Sequence, residues 1–570
     1  MKVFARMVFS AMLLYACALP FHAFAADAPL SQVNVRNYGA KGDGVTDDTA
    51  AFQNAMDALS PQGGIVNVPV GNYLIKTHLS IPENVTLEGV WKVPTAFSQY
   101  HGSTLLAVEG AGSENGTPFI SMHTNSVLKG ITIYYPNQNP SHIIPYPWCV
   151  SCAGGDNISV IDCLLVNPYQ GVDLGTHPSG RHFINGLYGQ PLRRGIFVDQ
   201  CYDIGRIQNV HFWTFWKWDA QSGIRDWMWK HSEAFIFGRT DWEYVFNTFV
   251  FGYHIGYRFI QTKTGAMNGN LVGIGADASQ IAVDVEQTQT PGLLITNGEF
   301  VSFAGEKPTE VVVAPSHTGV VQFSNCSFWG PAYQIAHLDG TGTVSFTGCN
   351  FVDWDNNGKG IPAIDLEGGN LIVNGCNFIK PAPQVLLSGK AESAVVMGNR
   401  MAGPLKISNP AHANLQVGLN VAGKAPFIPK AKPGTVQVDD SESSPYFKLI
   451  GTWNFVSGGG NFGLGAHWAP KGNGSSKAIF RPGIPKNGKY IVSVFIGPDP
   501  NGDHATNEPV TVRYATGVKT KLINTHAEAG RWVTLGEFPL KAGMSSFVVI
   551  SNKANGNVLA DAIRLTPVRR

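Results

Sequence analysis

The sequence has little charge, and its apolar runs are short. Lys and Arg number 41 and Asp and Glu 40, so only 14% of the 570 residues are charged and the formal net charge is +1. This balance argues against a general nucleic-acid or membrane-surface binder, although it leaves room for a local charged groove. Beyond the N-terminal residues, no segment reaches about 20 unbroken apolar residues, so we expect no membrane span in the mature chain.

The chain also lacks the long Ala/Glu/Lys/Leu-rich stretches of helical bundles. It is rich in turn formers instead, with 65 glycines and 35 prolines. Together with many Asn, Thr and Val residues, this composition is typical of a turn-rich β protein. The length exceeds what one ordinary core supports, so we expect several domains or one elongated repeat domain.

The first residues have the pattern of an export signal. Lys2 and Arg6 precede the apolar run VFSAMLLYACALPF, and small residues follow at positions 23–25. This pattern predicts a signal peptide over residues 1–25 and a secreted or periplasmic protein. A lipoprotein signal at Cys17 is the alternative, although Tyr15 fits such a site poorly.

Seven cysteines remain once Cys17 is removed. Cys326, Cys349 and Cys376 lie in related four-residue motifs, NCSF, GCNF and GCNF, which recur at similar intervals. This repetition predicts neighbouring interior rungs of a coiled β-structure, with the thiols as small buried apolar groups. For the CxxC of residues 149–152 we favour a disulfide, then free thiols, and last zinc, because no second CxxC or HxxxH follows.

Residues 32–75 contain a strand, a Gly/Asp turn, a helix and a valine-rich strand. The helix is predicted over residues 46–59, with Thr46 or Asp47 as N-cap. Its apolar face is formed by the following residues: Ala50, Phe52, Ala55, Met56 and Leu59. We expect this helix to cover the open edge at one end of the fold.

Short β-branched or aromatic segments then recur, each followed by Gly, Asn or Pro. Examples are SVLKGITI, GLLITNGEF, GVVQFSNCSF, GTVSFTGCNF and NLIVNGCNF. A β-sandwich uses such strands too, but it does not normally repeat one phrase at matching intervals. The predicted fold class is therefore all-β: a right-handed single-stranded parallel β-helix with an N-terminal capping helix, followed by a β-sandwich.

The composition changes near residue 409. We predict a β-helix domain over residues 32–408 and a linker rich in Pro, Lys, Ser and Asp over residues 409–444. A second β-pattern follows, and its strand spacing predicts a β-sandwich over residues 445–568.

Two stretches resemble known families. VRNYGAKGDGVTDDTAAFQNAMDAL with GGIVNVPVGNYLI resembles the N-terminal signature of the pectate lyase, rhamnogalacturonase and epimerase superfamily of β-helices. The resemblance implies a carbohydrate-active protein; within the signature, we interpret Asp43, Asp47 and Asp48 as turn and capping residues. The phrases GTW, GKY, GRWVTLG and ADAIR after residue 450 resemble the golvesin/xanthan-lyase carbohydrate-binding-like domain, which implies a non-catalytic accessory module.

The sequence departs from the better-known branches of that superfamily. It lacks the NTD, DD, GHG and RIK set of polygalacturonase-like enzymes. It also lacks the calcium-binding aspartate group and the RxPxxR-like segment of pectate lyases. The resemblance therefore predicts the fold better than the reaction.

Residues 211–244 concentrate aromatic rings and charges. Six of the 13 tryptophans lie there: Trp213, Trp216, Trp218, Trp227, Trp229 and Trp242. Sugar rings pack on aromatic faces, and their hydroxyls need polar partners, so this composition favours a polysaccharide-binding groove. The alternative is packing beneath a long loop. A β-helix interior is too narrow for six indoles, so we expect several of them outside it.

Within this segment, Asp241 and Glu243 are the first candidates for catalysis. Residues i and i+2 of a strand share a face about 6.6–6.8 Å apart. That separation is near the lower end for the acid and base of an inverting glycosidase. Asp226 and Glu233 are second-choice partners for this pair, and the alternative is a solvated surface pair.

The same segment also offers groups for lyase chemistry. Its cationic candidates for neutralising a uronate or acting as a base are Arg225, Lys230, His231 and Arg239. Tyr253 and Tyr257 are alternative lyase bases. Asp199 and Asp203 are candidates to line the same groove, although a lone aspartate near a β-helix turn more often has a structural role.

Three functions follow in order of preference. The first is a polysaccharide hydrolase, the second a lyase or epimerase acting on a uronate-containing glycan, and the third a non-catalytic glycan-binding protein. We predict a polysaccharide partner, no nucleic acid, and a monomer or small homo-oligomer. No cofactor or metal is expected, with Ca²⁺ considered only for a lyase or for weak binding at exposed Asp clusters.

Overall fold

The protein is described by a computed structural model that covers residues 31–60, 62–91, 94, 101–423, 434–442, 444–457, 460–463 and 465–568. The predicted signal peptide and Cys17 lie outside these residues. No helix in the described ranges is long and apolar enough to cross a membrane.

A parallel sheet of 37 strands coils through the larger part of the chain in three columns. The first column contains Gln32–Asn34, Gly64–Val68, Val85–Gly89, Val127–Lys129, Ser159–Leu165, Phe183–Gly189, Arg206–Gln208, Thr240–Phe251, Met267–Ser279, Leu293–Thr296, Val320–Ser324, Thr343–Thr347, Ile364–Asn374, Val385–Met397 and Asn414–Gly418. Its longer strands bend round a corner into a neighbouring column. The strand order confirms the predicted parallel β-helix.

The other two columns complete each coil. The second column contains Asp43–Asp47, Gly71–Ile75, Ser103–Ala107, Ile131–Tyr134, His211–Phe212, Glu299–Ser302, Ser327–Phe328, Asn350–Phe351, Asn377–Phe378, Arg400–Ala402 and Val421–Gly423. The third column contains Leu79–Ile81, Ile120–Met122, Trp148–Cys152, Gln170–Leu174, Arg194–Val198, Glu233–Phe237, Ile255–Phe259, Ile281–Val285, Thr309–Val313, Gln334–Leu338 and Ile407–Ser408. A small sheet, Gly155–Asp156 with Ser179–Gly180, lies outside the columns.

Like side chains stack on neighbouring rungs in the interior. The Phe351 ring lies between Phe328 and Phe378, with centroids 5.4 and 4.5 Å away. Cys326, Cys349 and Cys376 are buried and precede strands in direct register, as their repeated phrases predict. All seven described cysteines are free thiols, so the predicted disulfide in residues 149–152 is wrong. Burial raises the pKa of Cys149 to about 12 and that of Cys152 to about 11.

The helix Thr49–Asp57 covers the N-terminal edge, after a short 3-10 helix, Val35–Tyr38. It is shorter than predicted, and its N-cap is Asp48. The Asp48 carboxylate holds the preceding turn by accepting hydrogen bonds from the amides of Lys41 and Gly42. Ala51 is buried in place of the predicted Ala50, beside Phe52, Ala55, Met56 and Leu59.

The C-terminal region forms antiparallel sheets around a second core. One sheet contains Val436–Asp439, Ala562–Pro567, Gly488–Ile496 and Arg531–Leu540, and the next contains Phe447–Ile450, Lys477–Phe480, Phe547–Ser551, Glu508–Tyr514 and Gly517–Ile523. A third contains Asn454–Ser457, Gly465–Ala469 and Val558–Ala560. The predicted linker is too long at both ends, because residues 414–423 still pair within the β-helix and residues 436–439 already pair in the C-terminal sheets.

Candidate functional site

The aromatic segment is an insertion between two columns of the β-helix. It leaves the second column after His211–Phe212 and enters the third at Glu233–Phe237. Within it, the helix Ile224–His231 begins after Gly223, which adopts a left-handed conformation. Asp226 in the first turn and Lys230 in the last complement the helix dipole.

The two sides of this helix contact different surfaces. Trp227 and His231, four residues apart, have ring centroids 4.9 Å apart, and Trp227 also contacts Tyr169 beside the third column. Arg225 and Trp229 form the other side, with the guanidinium 4.9 Å from the indole. Trp229 donates a hydrogen bond to the Ala278 carbonyl and contacts Phe303, at the corner where the second column turns into the third.

The six tryptophans therefore do not all lie on one surface, although Trp218 contacts Trp229 and, like Trp213, Phe251. Trp216, Trp218 and Trp227 pack against the β-helix core, which supports the packing interpretation for these three. Trp213 contacts Phe215 and Phe251 on the outside of the second column. Trp242 is exposed at a different corner, between the third and first columns.

The predicted pairing of Asp241 with Glu243 on one face is wrong. Trp242 has a φ of 53°, which breaks the alternation of a regular strand. Asp241 stays partly exposed and pairs with Arg239 at 2.8 Å, whereas Glu243 is fully buried. The Glu243 carboxylate contacts His182 and accepts a hydrogen bond from Thr240, so it has no access to a substrate.

Two predicted lyase bases are also buried. The Tyr253 hydroxyl donates to the Pro191 carbonyl, and Tyr257 stacks on Phe235 with centroids 4.9 Å apart. Burial raises the pKa of both hydroxyls above the ordinary value. Neither ring contributes to an outer surface, so neither can reach a glycan.

Asp199 and Asp203 have structural partners at the end of the third column. The buried Asp199 carboxylate accepts hydrogen bonds from the Arg239 amide and from the hydroxyls of Thr262 and Thr264. Asp203 pairs with Arg181 at 2.7 Å on the surface. These contacts place the two aspartates away from the insertion helix.

The third column carries an ion-pair cluster on its outer face, which we name the third-column cluster: Arg193, Glu233, Arg258, Asp284 and Glu286. Glu233 pairs with Arg193 at 3.0 Å and also with Arg258. Arg258 and Asp284 are direct neighbours across two strands. Their flanking residues Tyr257, Phe259, Val283 and Val285 point into the core. Strand alternation therefore directs both charged side chains outward.

Three carboxylates meet at the Arg258 guanidinium. Its Nη2 lies 2.8 Å from Glu286 Oε1, and its Nε lies 3.4 Å from Asp284 Oδ2. Glu233 occupies the remaining Nη1. One guanidinium group thus pairs with three carboxyl groups, and the surroundings of each carboxyl group determine its pKa.

Asp284 has the property required of a general acid. Burial raises the pKa of Asp284 to about 6. The charge of Arg258 lowers this pKa, but the charges of Glu286 and Glu233 raise it. A carboxylic acid with this pKa is partly protonated near pH 6, beside carboxylates held by arginines. The side chain is 15% exposed, so part of it lies at the outer surface.

An aromatic cleft of about 790 Å³ lies between the β-helix and the C-terminal sheets. Its β-helix side is lined by Phe249, Ala276, Asp277, Glu299, Val301, Phe303, Trp329, Gly330, Pro331 and Asn356. Trp453, Asn454, Phe455, Val456 and Trp468 line the opposite side. Rings with carboxylate and amide partners are the groups that bind sugars. Trp229 contacts Phe303 at its edge, which links the insertion helix to this cleft.

Arg258, Asp284 and Glu286 were not among the sequence candidates, whereas Glu233 was a second choice. Their phrases, IGYRFI and IAVDVEQ, lie on consecutive rungs. Aligning the coils by their buried residues places Arg258 beside Asp284. No sequence pattern indicates the cleft in this way, because its two sides come from separate parts of the chain.

Comparison with known proteins gives two family matches. Residues 32–141 match the family of rhamnogalacturonase A/epimerase, pectate lyase-like proteins, and residues 436–567 match the Golvesin C-terminal domain. The first match covers the capping helix and the first coils. The second covers the C-terminal sheets from their first strand.

Individual relatives match over shorter shares of their length. The preneck appendage protein of Bacillus phage PZA is 35% identical over 96 residues, covering 16% of this chain and 11% of that protein. The xanthan lyase of Bacillus sp. strain GL1 is 27% identical over 166 residues, covering 28% of this chain and 17% of that protein. The chain therefore spans less than a fifth of either relative.

Among solved structures, the A-module of mannuronan C-5 epimerase AlgE6 from Azotobacter vinelandii is similar to this chain, with 14% identity and a TM-score of 0.45. The match covers 68% of this chain and 99% of that one. The family matches relate the chain to carbohydrate-active proteins. The chain combines an N-terminal segment that matches the rhamnogalacturonase A/epimerase, pectate lyase-like family with a C-terminal segment that matches the Golvesin C-terminal domain.

Proposed function

We propose that this protein cleaves a polysaccharide by hydrolysis at the third-column cluster. The observation that carries the proposal is the raised pKa of Asp284, about 6, on an outer face where Glu233 shares the same arginine. In the proposed reaction, Asp284 donates its proton to the glycosidic oxygen as the bond to the anomeric carbon breaks. Glu233 accepts a proton from the attacking water.

The surroundings of the cluster support sugar binding. Trp227 of the insertion helix contacts His231 on the same helix and Tyr169 beside the third column. The exposed Lys230 follows Trp229 on that helix. The aromatic cleft offers a second contact for a long chain. We propose that the cleft binds neutral sugar units, since Asp277 and Glu299 line it and none of its lining residues is Lys or Arg.

A lyase or epimerase is the second candidate, and one observation favours it. Arg193 and Arg194 lie at the start of the strand Arg194–Val198, and Arg258 lies on Ile255–Phe259. The strand Glu233–Phe237 lies between these two, on a face where guanidinium groups can bind a uronate carboxylate. Elimination would then need a base from this face, because the two candidate tyrosines are buried.

Product analysis distinguishes the two reactions. The purified mature chain is incubated with neutral and uronate-containing polysaccharides, and both reducing ends and the ultraviolet absorbance of unsaturated uronates are recorded. Hydrolysis predicts reducing ends without that absorbance. A parallel rise of both signals would replace hydrolysis with elimination, and binding without either product would leave a glycan-binding protein.

A further inference from the structure

Three buried aspartates meet in the C-terminal region, far along the chain from the third-column cluster. Asp439 ends the strand Val436–Asp439 and Asp440 follows it, while Asp561 lies between two C-terminal strands. The Asp440 amide donates to the Asp561 carbonyl at 2.8 Å, which fixes the two segments together. One carboxylate oxygen from each aspartate lies within 4.8 Å of the other two, and no side chain is more than 3% exposed.

Two of these oxygens have no hydrogen-bond partner among the described residues. They are Oδ2 of Asp439 and Oδ1 of Asp440, both buried. The other oxygens are satisfied, because Asp439 Oδ1 accepts from the Ser441 amide and Asp561 accepts from the Phe462 amide. A buried carboxylate oxygen without a partner carries a large desolvation cost, which a bound cation would offset.

The described protein residues do not supply that positive charge. Within the described ranges, no Lys or Arg forms a salt bridge with any of the three aspartates. His467 contacts Oδ2 of Asp440 at 2.7 Å and not the two unpartnered oxygens. Three buried carboxylates this close together repel one another when all are ionised and no cation lies between them.

We infer that Asp439, Asp440 and Asp561 bind a divalent metal cation of the hard class that Ca²⁺ represents. All three ligand groups are carboxylates, and oxygen-only sites select Ca²⁺, Mg²⁺ or Mn²⁺ over metals that prefer sulfur or imidazole. The ion would neutralise the repulsion and contact the two unpartnered oxygens. This inference is independent of the proposed reaction, since the cluster lies in the other core.

Two glycines leave room beside the carboxylates. A Cβ atom on Gly463, whose φ is +90°, would lie 2.7 Å from the unpartnered Oδ2 of Asp439. A Cβ atom on Gly497 would lie 2.3 Å from Oδ1 of Asn461 and 3.4 Å from Oδ2 of Asp561. The ion would tie the first C-terminal strand to the last strands.

The test uses the full mature chain, treated with EDTA and then dialysed. Titration calorimetry and thermal unfolding are recorded with CaCl₂, MgCl₂ and MnCl₂, each alone. We expect one equivalent of at least one cation to bind and to raise the Tm by several degrees. No heat and no Tm shift with all three at millimolar concentration would overturn the inference.

Near-isosteric variants locate the site. Asp440→Asn and Asp561→Asn are expected to abolish the Tm shift, whereas the exposed control Glu537→Gln keeps it. In EDTA both variants should unfold at or above the wild-type Tm, because each removes one repelling charge; this result also shows that they fold. A second acidic group, Asp499, Asp503 and His504, is the competing location. If Asp503→Asn abolishes binding and Asp561→Asn does not, the inference is wrong.

Discussion

The Nε2 atom of His182 lies 2.9 Å from Oε1 of Glu243, and neither side chain is exposed to solvent. The pair is enclosed so tightly that a Cβ atom on Gly205 would lie 2.2 Å from the imidazole and 2.3 Å from the carboxylate. A substrate has no path to it. Glu243 therefore acts within the fold, as the partner of a buried histidine.

This pair predicts how stability depends on pH. Burial alone would lower the pKa of His182, but the charge and hydrogen bonds of Glu243, with Cys201, raise it from 6.5 to about 10. Because the folded state holds the proton more tightly, this stabilisation is complete below pH 6.5 and is lost as the pH rises through 10. We expect the denaturant midpoint to fall between pH 6.5 and 10.

Glu243→Gln is the matched variant for this prediction. It removes the charge that raises the pKa, so it should lower the midpoint at pH 6 and flatten the decline above that pH. Parallel curves for the wild type and the variant from pH 6 to 10 would contradict the assignment.

The interior aromatic stack predicts a large loss of stability on truncation. Phe351 lies between Phe328 and Phe378 and is fully buried, so Phe351→Ala should cost about 3–5 kcal/mol. Phe246→Ala removes a ring that is 51% exposed and should change stability by less than about 0.5 kcal/mol. Denaturant unfolding of the two variants measures the difference, and equal losses would show that the stack does not hold the coils.

Glycan affinity tests the aromatic cleft. Trp329 is 43% exposed within it, and loss of one sugar-stacking ring costs about 1 kcal/mol, so Trp329→Ala should weaken binding about fivefold. Trp242 is similarly exposed at another corner, and Trp242→Ala should bind as the wild type does. Isothermal titration with a neutral oligosaccharide gives both values. A loss confined to Trp242→Ala would move the binding surface to that corner.

The pH dependence of activity follows from the surroundings of Asp284. A general acid works in its protonated form, so activity should fall as the pH rises above about 6. Glu286 raises the pKa of Asp284 and Arg258 lowers it. Glu286→Gln should therefore shift the alkaline limb to lower pH, and Arg258→Met should shift it to higher pH. Shifts of the same sign, or none, would exclude Asp284 as the titrating group.

The fold could be predicted from the sequence because successive coils repeat the same short sequence motifs. The phrases around Cys326, Cys349 and Cys376 recur because each coil places the same side chains in the same interior position. The capping helix was predicted from its periodicity, although its N-cap is Asp48, whose carboxylate holds the turn before the helix and makes no capping hydrogen bond.

The candidate site was harder to predict from the sequence, because the backbone conformation of one residue changes the face of the strand on which the next side chain lies. The left-handed conformation of Trp242 turns Glu243 into the interior, and an assumed strand alternation cannot reveal this. Arg258 and Asp284 meet across two coils, so their contact depends on register rather than on sequence proximity. The cleft depends on how the two cores pack, which no local pattern encodes.

The most direct test of the account compares two carboxylates on one substrate. Initial rates of polysaccharide cleavage are measured for the wild type, Asp284→Asn and Asp241→Asn at pH 5.5, a value just below the pKa of about 6 of Asp284. We expect Asp284→Asn to lose about 10²–10⁴-fold in rate, as for removal of a general acid, and Asp241→Asn to stay within about threefold of the wild type. Full activity of Asp284→Asn together with loss in Asp241→Asn would place the chemistry at the other corner and contradict the account.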